Sequence, residues 1–239
     1  MPMRRTKASA ALALTLLGGA MAPAHADYRE ARQHYEALSE KQRSAIALAL
    51  IASGDFEGLA EHGFTRRLYR AIVAFERREG LGADGVLRGG ELDRLTAVAE
   101  RFYAQLGNRF YTHPDTGARL LVPRGLFDAE KTTEEGIVFS RKDGMLSLIF
   151  LSFPDEEKSF AELWRTLSAN GDDKRVTYKR RFDNHFVATG FFQGRKFYTW
   201  MARTARSSTG FTVSWAAPWE ETGRKVSTLL ANAFLAEPR

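Results

Sequence analysis

The chain has 239 residues, 35 Lys and Arg against 29 Asp and Glu, a formal net charge of +6, and no cysteine. The missing thiol excludes disulfide bracing, lipid attachment through sulfur and every cysteine nucleophile, so stability must come from packing. The length suits one good core or two small ones.

The first 26 residues combine a basic start (Arg4, Arg5, Lys7), an apolar run from Ala8 to Leu17 and a small-residue end at Ala24-His25-Ala26. This is the layout of a secretory signal peptide, with cleavage expected after Ala26. Its strongly apolar part is shorter than the ~20 residues a bilayer span needs. Removing it leaves 32 basic residues against 29 acidic ones, a charge of +3, so the high isoelectric point belongs partly to the leader. Export without cysteine fits a bacterial periplasm, with no integral membrane span after cleavage. Nucleic acid is not expected as a partner at that modest charge.

From Asp27 to about Leu106 the apolar spacing is helical. Ser39 and Gln42 form a capping box ahead of a helix carrying Ile46 and Leu50, which Ser53-Gly54 ends. Thr65 caps a second helix with Leu68, Ile72 and Phe75 on one face and Arg66, Arg67 and Arg70 in solvent. A third starts near Gly90 or Glu91 and buries Leu92, Leu95, Ala99, Phe102 and Leu106.

Near Asn108 the pattern changes. The turn formers His113 to Gly117 precede a short strand at Leu120 to Val122, and Gly136 to Arg141 with Met145 to Phe153 predict a hairpin whose second strand is central. A helix follows over Ser159 to Ser168. Strands are expected at Arg175–Phe182, His185–Phe192, Lys196–Ala202 and Gly210–Ala216, with Phe211, Val213 and Trp215 on one buried face. A last helix begins after Pro218. The expected class is α+β: a small three-helix domain (27–107), then an antiparallel sheet packed with helices (108–239), resembling an α/β/α sandwich.

Catalytic patterns are absent from this reading. No HExxH, Ser-x-x-Lys, Gly-x-Ser-x-Gly or phosphate-cradling loop occurs, and the five histidines are scattered singly. No catalytic residue, metal site or cofactor is expected. Paired carboxylates of the glycosidase kind need a spatial separation of ~5 to 9 Å that sequence does not show, so a wall hydrolase using His185 or Glu135 stays as an alternative. The basic residues Lys179, Arg181, Arg195 and Lys196 form a candidate interaction strip along the strands, and Tyr178 or Tyr198 are candidate contact aromatics.

The stretches Gly54-Asp-Phe56-Glu-Gly58, Ala71-Ile-Val-Ala-Phe75-Glu76, Gly80-Leu81 and Asp84-Gly85 resemble the three-helix peptidoglycan-binding module of bacterial wall proteins. Two positions depart from that pattern. Glu61-His62-Gly63 replaces a first Asp-Gly turn, and Glu76 stands where the family has Gln, exchanging an amide that donates for a carboxylate that accepts. The resemblance implies peptidoglycan or its fragments as ligand near Phe56, His62, Tyr69 and Glu76, with Phe75 in the core. The later region, through Leu120 to Pro123, the 136–153 hairpin and Phe182 to Trp200, resembles the PsbP/Mog1-like α/β/α sandwich. That implies a scaffold for an envelope protein partner. The alternative is a protein-interaction or chaperone-like protein whose helical module has lost its ligand.

Overall fold

A computed structural model describes residues 28–60, 63–114, 116–133, 136–204 and 207–236. The expected signal peptide lies outside the described residues. The chain begins with four α-helices: α1 (Tyr28–Glu36), α2 (Glu40–Ser53), α3 (Arg66–Arg78) and α4 (Gly89–Leu106). The expected three-helix region therefore holds one helix more. α1 is a nine-residue segment that buries only Ala31 and Tyr35, too few positions to mark it in the sequence.

Local chemistry sets the helix ends. Ser39 Oγ accepts from Gln42 N at 3.3 Å while Gln42 Oε1 accepts from Ser39 N at 3.0 Å, so two end groups of α2 are satisfied reciprocally. Gly54 ends α2 in the left-handed region at φ 90°, where its amide returns to Leu50 and Ile51. Thr65 Oγ1 caps α3 through Leu68 N at 3.1 Å. Leu50, Ile51, Leu68, Ile72, Phe75 and Leu95 then meet in one apolar core.

A two-stranded hairpin follows, β1 (Asn108–Thr112) with β2 (Arg119–Pro123). The main sheet contains β3 (Ala129–Thr133), β4 (Gly136–Ser140), β5 (Leu146–Pro154), β6 (Lys174–Arg181), β7 (His185–Phe192), β8 (Arg195–Arg203) and β9 (Ser207–Trp215) in the order 3-4-5-9-8-7-6, antiparallel throughout. Two helices complete the region, α5 (Phe160–Leu167) and α6 (Glu220–Ala236). The class is α+β, with helices packed against an antiparallel sheet. Among the described residues no helix is long and apolar enough to cross a membrane.

Side-chain alternation gives the sheet two faces. On the α6 face the register aligns Ile137, Phe150, Phe211, Trp200 and Val187 in one row across five strands. Phe234 of α6 covers this row, 4.9 Å from the Trp200 ring and 5.7 Å from Phe211. On the other face the row Leu151, Gly210, Met201 and Phe186 lies beneath α5, whose Phe160 and Leu163 pack onto it. At roughly 25 cal/mol per Å² of apolar surface, such rows supply most of the driving force for forming the sheet.

The helical region docks on α6. Asn232 of α6 donates from Nδ2 to Gly58 O at 3.1 Å and to Thr228 O at 2.8 Å, and accepts Ala60 N at 2.7 Å. Arg224 pairs with Glu57 beside it. A Cβ on Gly54 would lie 2.8 Å from Lys225 Cε, so the turn after α2 sits close against α6. Leu229 touches both cores.

Candidate functional site

α6 lies over β9, and the face of β6, β7 and part of β8 beside it is uncovered. Between that face, α6 and the 56–59 turn of the helical region is a cleft of about 820 Å³, in the size range of ligand sites. Its floor is aromatic. The Phe182 and His185 rings stack at 4.3 Å and 13°, and His185 continues onto Trp200 at 5.9 Å. Arg180 lies over Phe182, its guanidinium carbon 4.6 Å from the ring centre. Tyr178 stands at the outer margin with 52% of its surface exposed, opposite Thr189 and in line with Tyr198.

Alternation on β6, β7 and β8 brings these side chains to one face, since Tyr178, Thr189 and Tyr198 occupy one cross-strand row. The rim is polar. Lys196 Nζ donates to Glu220 Oε1 at 2.7 Å, and Trp215 Nε1 donates to Glu220 Oε2 at 2.8 Å. Burial pushes the Glu220 carboxyl up, yet those two hydrogen bonds together hold it below the usual carboxylate range. Thr65, Arg67 and Arg224 complete the rim. Aromatic faces beside charged and hydroxyl groups offer stacking surface and hydrogen bonds to a ligand with ring faces and polar edges.

The residues expected from sequence take several positions. Phe56 is 5% exposed and lines the inner end of the cleft from the turn it anchors. In that turn Asp55 and Phe56 both return their amides to Leu50 O, and Asp55 accepts from Arg78 Nη1 at 2.6 and 2.8 Å. His62 lies outside the described residues. Tyr69 is half-buried in an aromatic cluster with Tyr28 and Phe64 and lies against Gly85, where any Cβ would meet its ring at 2.3 Å.

Glu76 departs from the expected ligand surface. Its side chain is fully buried, Oε2 accepts Gly85 N at 2.8 Å, and its carbonyl accepts Leu81 N at 2.7 Å. It therefore fastens the Asp84-Gly85 turn from inside, and is too deep to touch a ligand. Oε1 is buried without a hydrogen-bond partner, and burial pushes the carboxyl up to about 7.

The expected basic strip is divided, because neighbouring strand residues point to opposite faces. Lys196 lies on the cleft side, whereas Arg195 reaches across the α5 face. Lys179 Nζ donates to Ser168 O at 3.2 Å just past the end of α5, and Arg181 lies over the Phe160 ring. These two are bound up with α5 and do not continue the Lys196 side.

Glu135, the acid of the hydrolase alternative, lies outside the described residues. His185 has Nδ1 2.8 Å from Asn184 Oδ1 and both ring faces against aromatics. Among the described residues no group of three or more His, Asp or Glu could hold a metal ion. The cleft contributions of Trp200, Glu220 and Arg224 escaped the sequence reading, and so did Asn232, which lies outside the cleft and ties α6 to the 58–60 backbone. No family model matches the chain, and no curated protein matches it.

Proposed function

We propose that this protein is a non-catalytic periplasmic binder of peptidoglycan, with residues 27–107 as the wall-binding module and residues 108–239 as a sandwich that meets another envelope component. The observation that carries this reading is the cleft itself. The Phe56–Gly58 part of the resembling module's turn faces the Tyr178, Phe182 and His185 platform across a space of about 820 Å³. Sugar rings present apolar faces that stack on aromatics, while amide and hydroxyl edges suit Thr65, Thr189 and the Lys196–Glu220 pair. Glu76, a departure from the module's pattern, still holds the Asp84-Gly85 turn in place through Gly85 N.

The test is retention of the purified protein on isolated sacculi, compared between the natural sequence and Tyr178→Ala with Phe182→Ala. Both side chains are substantially exposed, so folding is expected to survive. Retention by the natural protein and a drop of about 10-fold in the double variant is expected, in line with ~0.5–1.5 kcal/mol per aromatic contact. No retention, or retention indifferent to both changes, overturns the cleft assignment.

One observation favours a second reading, a protein-interaction protein with a ligand-free module. The 57–60 turn is engaged by Asn232 and Arg224, so part of the expected ligand side serves to hold the two regions together. Capture of an envelope protein that depends on Lys196, with no sacculus retention, is the result this reading expects.

A further inference from the structure

The α5 face holds a second cavity, independent of the cleft. α5 has eight residues and spans about 12 Å, whereas β5, β8 and β9 have nine residues each and run about 30 Å. The helix therefore cannot cover the sheet from end to end. The uncovered end forms a cavity of about 720 Å³.

The chemistry of the sheet changes row by row as it leaves the helix. Beneath α5 the row reads Leu151, Gly210, Met201, Phe186. The next row is Ile149, Thr212, Thr199, and the one beyond is Ser147, Ser214, Phe197. Thr199 and Thr212 share a hydrogen bond of 2.8 Å, so the floor is polar yet partly satisfied. Leu163, Leu167 and Phe197 form apolar walls.

Four cations line this space, Lys158, Arg165, Lys174 and Arg195, together with the acids Glu157 and Glu162, with Lys174 and Arg195 hydrogen-bonded into its walls. Arg195 Nη2 donates to Ser147 Oγ at 3.3 Å and Ser214 O at 3.1 Å, while its Nε is sealed from solvent with no hydrogen-bond partner. Lys174 Nζ donates to Leu167 O at 2.7 Å and lies 5.3 Å from the Phe197 ring centre. Burial pushes both groups below their ordinary values, and for Arg195 the Asp143 carboxylate offsets part of that from beyond ion-pair distance. Among the described residues no carboxylate lies within ion-pair distance of either. Glu162, at the margin, is occupied by Ser159 N and Oγ in the cap of α5.

We propose that this cavity binds a small organic monocarboxylate with an apolar body, its head held by Arg195 and Lys174 and its body laid along Ile149, Leu163 and Leu167. A planar carboxylate matches the guanidinium edge, and a charge-assisted hydrogen bond is stronger than a neutral one. The hydroxyl floor accommodates a head group that keeps some of its hydration.

The probes are octanoate, octanol and acetate, titrated calorimetrically into the full-length protein. Octanoate is expected to bind, octanol at least about 10-fold more weakly, and acetate without measurable affinity. Arg195→Gln is expected to weaken octanoate about 10-fold and to leave octanol unchanged, with Arg195→Lys restoring part of the loss. Ile149→Trp, which fills the cavity, is expected to abolish binding while circular dichroism remains unaltered. Absence of octanoate binding, equal affinity for octanol, or indifference to both Arg195→Gln and Ile149→Trp overturns the proposal. So does a concentration-dependent dimer that Arg195→Gln dissolves, since a second copy would then occupy the groove.

Discussion

The two faces of the seven-stranded sheet are each half covered, and by helices of very different length. On one face the 17-residue α6 seals Phe150, Phe211 and Trp200, and the space beside it is bounded by the helical region and floored by aromatics. On the other, eight-residue α5 seals Leu151 and Met201, and the space beyond it is floored by Ser and Thr with Arg195 at its end. The lesson is that the covering helix decides which rows must be apolar, and the rows it does not reach are free to carry other chemistry. The same alternation that builds the core thereby sets two chemically distinct surfaces on one scaffold.

The sharpest way to break the comparison is at the boundary of the sealed rows. Trp200 is 1% exposed yet borders the cleft, so Trp200→Ala should cost about 3–5 kcal/mol in denaturant unfolding. Tyr178→Ala in the same cleft should stay within ~0.5 kcal/mol, the range for surface changes. Comparable losses for both would mean that the platform is structural along its whole length.

Glu76 gives the next effect, on the order of 3 kcal/mol, since its carboxyl rises from an ordinary 4.5 to about 7. The folded chain holds that proton more tightly than the unfolded one, so its contribution to stability is greatest below about pH 4.5, declines as pH rises, and levels off above about 7. Glu76→Gln should flatten this segment of the stability-against-pH curve measured by urea unfolding. An unchanged slope would place the titration elsewhere.

A smaller effect tests the connection between the regions. Asn232→Ala leaves Gly58 O and Ala60 N without their partner and should cost about 2 kcal/mol. It should also raise amide hydrogen exchange selectively in residues 56–60. Smallest is Lys179→Ala, about 0.5 kcal/mol, because it removes one cation from the last carbonyls around α5. Its melting temperature should shift little, and octanoate binding should persist.

Much of the fold was legible because local chemistry marked it. Ser39 with Gln42, Thr65 and Ser159 announce helix starts by polar groups that really close on their own backbone. Phe211, Val213 and Trp215 announce a half-buried strand by period-two burial. β3 was invisible for the opposite reason, as all five residues are exposed and only its pairing with β4 makes it a strand. The candidate site was less legible still. It joins residues 56–67 to 177–200 and 215–231, and no local rule registers a pairing over such distances. Glu76 was located correctly on its helix but placed at the surface, because sequence shows that a carboxylate is present and not which amide it is turned towards.

Asn232 has a consequence for how a ligand of the proposed kind would enter the cleft. Its amide grips the 58–60 backbone from both sides, donating to one residue and accepting from another, as a neighbouring strand would. Swinging the helical region away would break both bonds at once, so entry by a hinge is disfavoured against entry along the open β6 edge past Tyr178. A long polymer can slide in sideways there without its ends being threaded, whereas a closed jaw would favour short fragments.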